Sequence, residues 1–92
     1  MTTTMYKIVF VSSADKQLKK LAKSVQRLII EKIKKLDIFQ SNNNVKKLIG
    51  TSDLYRLRVG DYRVVYQIRK QELVVLILKV GHRKDIYKGN MT

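Results

Sequence analysis

Residues 54–67, LYRLRVGDYRVVYQ, place an alternating run on each side of Gly60-Asp61. A glycine beside an aspartate between two such runs is a strong local signal for a two-residue hairpin turn. With those residues as the turn, Val59 faces Tyr62, Arg58 faces Arg63, Leu57 faces Val64 and Arg56 faces Val65. The two-residue side-chain period of a strand then divides the hairpin into unlike faces. Tyr55, Leu57, Val59, Tyr62, Val64 and Tyr66 share one face, and Arg56, Arg58 and Arg63 share the other. Like charges directly opposite one another weaken a strand pair. No carboxylate on these strands relieves them, since Asp61 is in the turn and Asp53 precedes the first strand. A guanidinium meets phosphate oxygens with two parallel hydrogen bonds, so one or two phosphates would turn repulsion into attraction. The competing reading is a solvated strand face, its long stems covering apolar surface while the charged heads stay wet.

The rest of the chain supplies the scaffold. MYKIVFV (5–11) predicts a first strand. Ala14, Leu18, Leu21, Ala22 and Val25 recur at helical spacing behind Ser12 or Ser13 as a cap. A second helix, capped by Ser24, turns Val25, Leu28, Ile29, Ile33 and Leu36 inward, with Ile30 widening the stripe. Lys16, Lys19, Lys20 and Lys23 on the first helix face out, as do Arg27, Glu31, Lys34 and Lys35 on the second. Their tight join predicts an antiparallel helical hairpin. The polar connection QSNNNVKKLIGTSD (40–53) is rich in turn formers, and its KKL allows a short ordered piece. After the arginine hairpin, a turn near RKQE (69–72) leads to LVVLILKV (73–80), apolar on both faces and therefore inside the sheet. The expected architecture is α+β: strand, helix, helix, strand, strand, strand, with the helices on one face of a mostly antiparallel four-stranded sheet. The 92 residues suffice for a single domain, 1–92. The helices should cover the tyrosine side and leave the arginines on the open face. Carrying the alternation through the last strand adds Val75, Ile77 and Lys79 to that face, and Arg83 beyond them. The result is a floor with an apolar centre and a cationic surround.

Twenty Lys and Arg against seven Asp and Glu give a net charge of +13. Such an excess repels itself in a compact state and points to a polyanionic partner: nucleic acid, an anionic membrane surface or an acidic protein. The longest apolar run, LVVLIL (73–78), is too short to span a bilayer, and the amino terminus lacks the pattern of a signal peptide. These features predict a cytoplasmic protein without a membrane partner. There is no cysteine, one histidine and no run of carboxylates at ligand spacing, so neither a metal nor a cofactor is expected. His82, the lone histidine, has a side chain suited to proton transfer. It is equally open to a structural role, because Gly81 interrupts the parity that would aim it. Tyr87 could pack, stack on a base, or transfer a proton where arginines favour its ionised form. No serine comes with a convincing histidine and acid. RNA, unlike DNA, carries its own nucleophile in the 2′-hydroxyl. A cationic site with one base and one acid can drive that hydroxyl onto the adjacent phosphate while arginines stabilise the growing charge.

LYRLRVGDYRVVYQI followed by LVVLILKVGHRKDIY closely resembles the RelE-type toxins of the RelE/ParE superfamily. The resemblance covers essentially the whole chain, including the KKLIG before the hairpin. The set of Tyr-x-basic-x-basic, then YR-x-x-Y, then VG-x-R and a final Tyr is specific taken together and weak in pieces. It implies the toxin of a type II toxin–antitoxin system: a metal-independent, ribosome-dependent endoribonuclease acting on mRNA in the decoding site. It further implies an acidic RelB-like antitoxin, with which the toxin binds operator DNA. Arg56 and Arg58 would then steady the RNA backbone, with Lys79 beside them on the same face. Arg63 would meet the scissile phosphate, and Arg83 would stabilise the transition state or the leaving oxygen. Tyr87 would stack on or deprotonate the reacting nucleotide. Several relatives carry lysine where this chain has Arg56 or Arg58. Arginine hardly ever gives up its proton, which moves the general-base role toward Tyr87 or His82. Two other readings stand beside this one. ParE-like relatives of the same fold poison DNA gyrase by protein binding, and a basic module could bind nucleic acid without cutting it.

Overall fold

The computed structural model describes residues 6–36, 44–48 and 53–88, with side chains described as far as Asp85. The elements in chain order are β1 (Lys7–Phe10), α1 (Ser12–Lys19), α2 (Lys23–Lys34), β2 (Val45–Lys47), β3 (Leu54–Val59), β4 (Tyr62–Arg69), β5 (Val74–His82) and α3 (Arg83–Lys88). The sheet order is β1-β5-β4-β3-β2, antiparallel throughout except for the parallel pair β1 and β5. The α+β class holds, with five strands in place of four. The added strand is β2, hydrogen-bonded to the outer side of β3. Arg58 N–H donates to the Asn44 carbonyl at 2.7 Å, and Leu48 N–H donates to the Leu54 carbonyl at 2.9 Å. Three residues are too few to show a period, so only pairing with β3 identifies this strand. Its two lysines suit an edge, where charge discourages further strand addition.

The hairpin register is the one its turn dictates. Arg58 pairs with Arg63, Leu57 with Val64, Arg56 with Val65, and Tyr55 with Tyr66. Ala14 and Leu18 of α1 and Ile29 and Ile33 of α2 pack with Leu57, Val59, Val64 and Tyr66 in one core cluster, which Tyr55 and Tyr62 border. The tyrosine side is thus the covered side. The expected serine caps are not used. Val11 and Ala22 occupy the cap positions, without side-chain hydrogen bonds. Val11 N–H still donates to the Ile77 carbonyl at 3.0 Å, so strand pairing runs up to the first turn of α1 and fixes where the helix starts. Gln26 ties the helical junction instead, donating to the Leu21 carbonyl at 2.8 Å.

β5 departs from simple alternation. Val65 pairs with Lys79 but Tyr66 pairs with Ile77, which leaves Leu78 as the extra residue of a β-bulge. One extra residue reverses the face of everything before it. Val75 and Ile77, expected on the open face, are fully buried in the core. Val74 and Leu76 take the open face in their stead, opposite Arg69 and Gln67 and beside Lys7 and Val9 of β1. Lys79 lies beyond the bulge and keeps its expected side. Past Ile77, β5 has outrun β1, and Gln17 of α1 accepts the Val80 N–H at 2.8 Å in the place a strand would have taken.

Candidate active site

Gly60 holds φ +58° at the first central position of the β3–β4 turn. Asp61 is not among the described residues with positive φ, so the turn has the pattern of type II′. Glycine adopts that conformation without the cost a Cβ would bring. The turn does more than reverse the chain. Its carbonyls face Arg63, whose Nη1 donates to Gly60 O at 2.9 Å and to Tyr62 O at 3.0 Å. Arg63 is only 9% exposed and pairs with no carboxylate among the described residues. A guanidinium has five N–H donors in a fixed plane. The two on Nη1 are spent, and those on Nε and Nη2 are not. No wholly buried side-chain nitrogen or oxygen among the described residues lacks a partner, so these remaining donors keep some contact with solvent. They form the edge that can grip two oxygens of a phosphate. Arg58, opposite, is exposed.

Arg56 lies two residues farther along β3 on the same face and pairs with Val65, whose other neighbour is Lys79. Val65 is 1% exposed yet stands outside the core cluster, as a residue on the other side of the sheet must. The arginine face therefore has the expected composition at its centre: Arg56, Arg58, Arg63, Val65 and Lys79. Sequence reasoning missed Lys46, which pairs with Arg56 from β2. The alternation of Val45 and Lys46 was the available signal, readable only once β2 is aligned on β3.

The carboxy-terminal candidates separate. Arg83 does not extend the parity of β5, because the strand ends at His82 and Arg83 opens α3. Its N–H donates to the Asp61 carbonyl at 2.7 Å, so the same turn that clamps Arg63 also tethers the start of α3. Arg83 itself is exposed. His82 does not join the arginines. Gly81 stays in the strand opposite Arg63, and His82 pairs with Tyr62 on the tyrosine side. There its ring stands edge-on to Tyr62 at 5.5 Å, and its Nδ1 accepts the Lys84 N–H at 3.2 Å. That interaction satisfies one of the orphan amides at the start of a helix. Tyr87 falls within α3, and its side chain lies outside the described residues. Tyr66 offers no substitute base. Burial pushes its phenol well above the ordinary value, with Tyr55, stacked at 5.6 Å, adding to the effect. Among the described residues there is no group of three or more His, Asp and Glu placed to hold a metal ion. A polar hollow lined by Asp53, Gln67, Arg69 and Glu72 sits at the far end of β4, roughly 20 Å along the strand from Arg63. It takes no part in the arginine cluster.

The family profile of the ParE toxin of the type II toxin–antitoxin system parDE matches residues 8–87. The chain belongs to the RelE/ParE toxin superfamily. Its relatives place it on the RelE side. The mRNA interferase toxin RelE of Escherichia coli K12 is 32% identical over 82 residues, covering 86% of this chain and 84% of that one. Toxin RelG of Mycobacterium tuberculosis is 29% identical over 87 residues, covering 90% and 97%. The toxin fold also recurs in the archaeal RelE-RelB complex of Pyrococcus horikoshii OT3. That chain superposes with a TM-score of 0.72 at 34% identity, covering 87% of this RelE-type toxin and 97% of its counterpart.

Proposed function

We propose that this RelE-type toxin cleaves mRNA on the ribosome by attack of the 2′-hydroxyl on the adjacent phosphate. The observation that carries the reading is the Arg63 guanidinium, held at the turn by two carbonyls, with its Nε and Nη2 donors unspent and no carboxylate paired with it among the described residues. Such a donor is fixed before charge develops and costs no reorganisation when it does. In the reaction the 2′-hydroxyl loses its proton to a base, O2′ bonds to phosphorus, and the bond from phosphorus to O5′ breaks. O5′ then takes a proton, leaving a 2′,3′-cyclic phosphate and a 5′-hydroxyl. Arg63 stabilises the phosphorane charge, while Arg56, Arg58 and Lys79 hold the flanking backbone. Arg83, tethered to the Asp61 carbonyl, serves the leaving oxygen, and Tyr87 in α3 is the candidate base. His82 acts one step removed, seating the helix that carries Tyr87.

End-group analysis of mRNA cut on translating ribosomes tests the chemistry. Cyclic phosphate and 5′-hydroxyl ends are expected, and a 3′-hydroxyl product refutes the mechanism. The ParE profile motivates one competing reading, inhibition of DNA gyrase by protein binding. A supercoiling assay run beside the cleavage assay separates the two. For partners, the RelE-RelB complex among the structural relatives supports a RelB-like antitoxin for this chain. The net charge of +13 favours an acidic one, and the proposal extends to operator DNA bound by the pair.

A further inference from the structure

The strand register lines up four residues straight across the open face. Lys46 of β2 pairs with Arg56 of β3, Arg56 with Val65 of β4, and Val65 with Lys79 of β5. The next row toward the turn holds Arg58 and Arg63, and ends in Gly81, which adds no side chain. Neighbouring strands lie about 4.8 Å apart, so the first row runs roughly 14 Å from Lys46 to Lys79, perpendicular to the strands. Even a stacked nucleic-acid strand, with a phosphate about every 3.4 Å, places several charges along that length. Within the row, where a fourth cation would crowd its neighbours, stands the buried and uncharged Val65.

We propose that Lys46 and Lys79 are the two ends of a phosphate track, and that single-stranded RNA crosses the sheet along this row with its scissile phosphate drawn aside to Arg63. The inference rests on the ribonuclease reading of the same face and adds to it a path and a residue, Lys46. Charge complementarity favours this occupant. Cations at three of the four strand positions across the face match a linear polyanion that passes over them. Lys47 supplies an internal control. It carries the same charge on the same short strand, but pairs with Tyr55 and therefore lies on the opposite face.

The test is the salt dependence of binding to a fully 2′-O-methylated oligoribonucleotide, which lacks the nucleophile and cannot be cut. Removing one lysine–phosphate pair lowers the slope of log K against log salt by about 0.7 for a single strand. Lys46→Gln and Lys79→Gln should each do so, the double variant should lose about twice as much, and Lys47→Gln should leave the slope unchanged. Lys46 is exposed and Lys79 half-buried, so each variant should remain folded, with thermal unfolding as the control. The track is overturned if Lys46→Gln matches wild type, if Lys47→Gln loses as much as Lys46→Gln, or if wild type fails to bind the probe at low salt. It is equally overturned if Lys46→Gln weakens only the complex with an acidic protein, which would make the row a protein interface. End-group analysis reports separately on the chemistry. Unchanged slopes beside 2′,3′-cyclic ends remove the track alone, and the expected slopes beside 3′-hydroxyl ends remove the nuclease alone.

Discussion

Arg63 performs two tasks that no other side chain combines. Its Nη1 is consumed by Gly60 and Tyr62, and its Nε and Nη2 donors remain unspent. Lysine has a single nitrogen and cannot hold two carbonyls on one side while presenting a planar pair of donors on the other. Arg63→Lys should therefore lose nearly as much single-turnover cleavage as Arg63→Ala, about a hundredfold or about 3 kcal/mol. Lys20→Ala, at the exposed end of α1, should change mainly the salt dependence of encounter. Equal losses at both positions would mean diffuse attraction instead of a site. Tyr66 gives a second test at this scale. Its phenol is raised in the folded state by burial, then by Tyr55. A raised group stabilises the fold fully below its unfolded value, near 10, and that contribution drains away as pH climbs above it. Tyr66→Phe should consequently flatten the alkaline limb of the unfolding free energy and leave neutral stability little changed. An unaltered alkaline limb in urea titrations would contradict the assignment.

Among the elements, β5 decides which residues the open face receives. The bulge at Leu78 sends Ile77 into the core and Leu76 to the other side. Ile77→Ala should lower stability by about 2–5 kcal/mol, as buried aliphatic truncations do. Leu76→Ala, half-buried beside Gln67, should cost clearly less, and urea midpoints measure both. An unbroken strand would reverse that order. Removing Leu78 is informative in another way. The deletion joins inward Ile77 directly to outward Lys79, which restores regular alternation and keeps each side chain on its present face. That variant should fold. α3 follows from the same strand, since β5 delivers His82 to Tyr62 and Arg83 to the Asp61 carbonyl, and the helix begins where those interactions end.

At the scale of the molecule, +13 on 92 residues sets a long-range field that a single site cannot explain. The arginine face supplies part of it, and Lys16, Lys19, Lys20 and Lys23 on the exposed side of the helices supply more. An acidic antitoxin would meet that field before it touched the surface. Stopped-flow association with the antitoxin should slow steeply as salt rises, while dissociation changes little, because charge steers the encounter and buried groups hold the complex. A dissociation rate more salt-sensitive than the association rate would place the binding energy in exposed ion pairs. Growth arrest on expressing the toxin alone, relieved by the acidic partner, checks the same point in cells.

The register of β3 on β4, the opposed pair Arg58 and Arg63, and the gathering of the tyrosines on the other face were legible in the sequence because each is local. A two-residue turn and a period of two fix them within a span of fourteen residues. Ala14 and Leu18 of α1 and Ile29 and Ile33 of α2 were legible for the same reason, since helical spacing needs no information from elsewhere in the chain. Ala22 and Leu28, expected inward with them, are exposed. What only the tertiary structure decided is non-local. Lys46 joined the arginine face through β2, a strand whose three residues mean nothing until β3 aligns them. Val75 and Ile77 left that face because LVVLILKV is apolar throughout and carries no mark of where its ladder skips a residue. His82 turned away because Gly81 stays in the strand, paired with Arg63, so that the alternation running on from Lys79 puts His82 opposite Tyr62. The two expected serine caps gave way to positions set by strand pairing and the helical junction. Local periods name the face of a residue relative to its sequence neighbours; only pairing between distant segments fixes which faces meet.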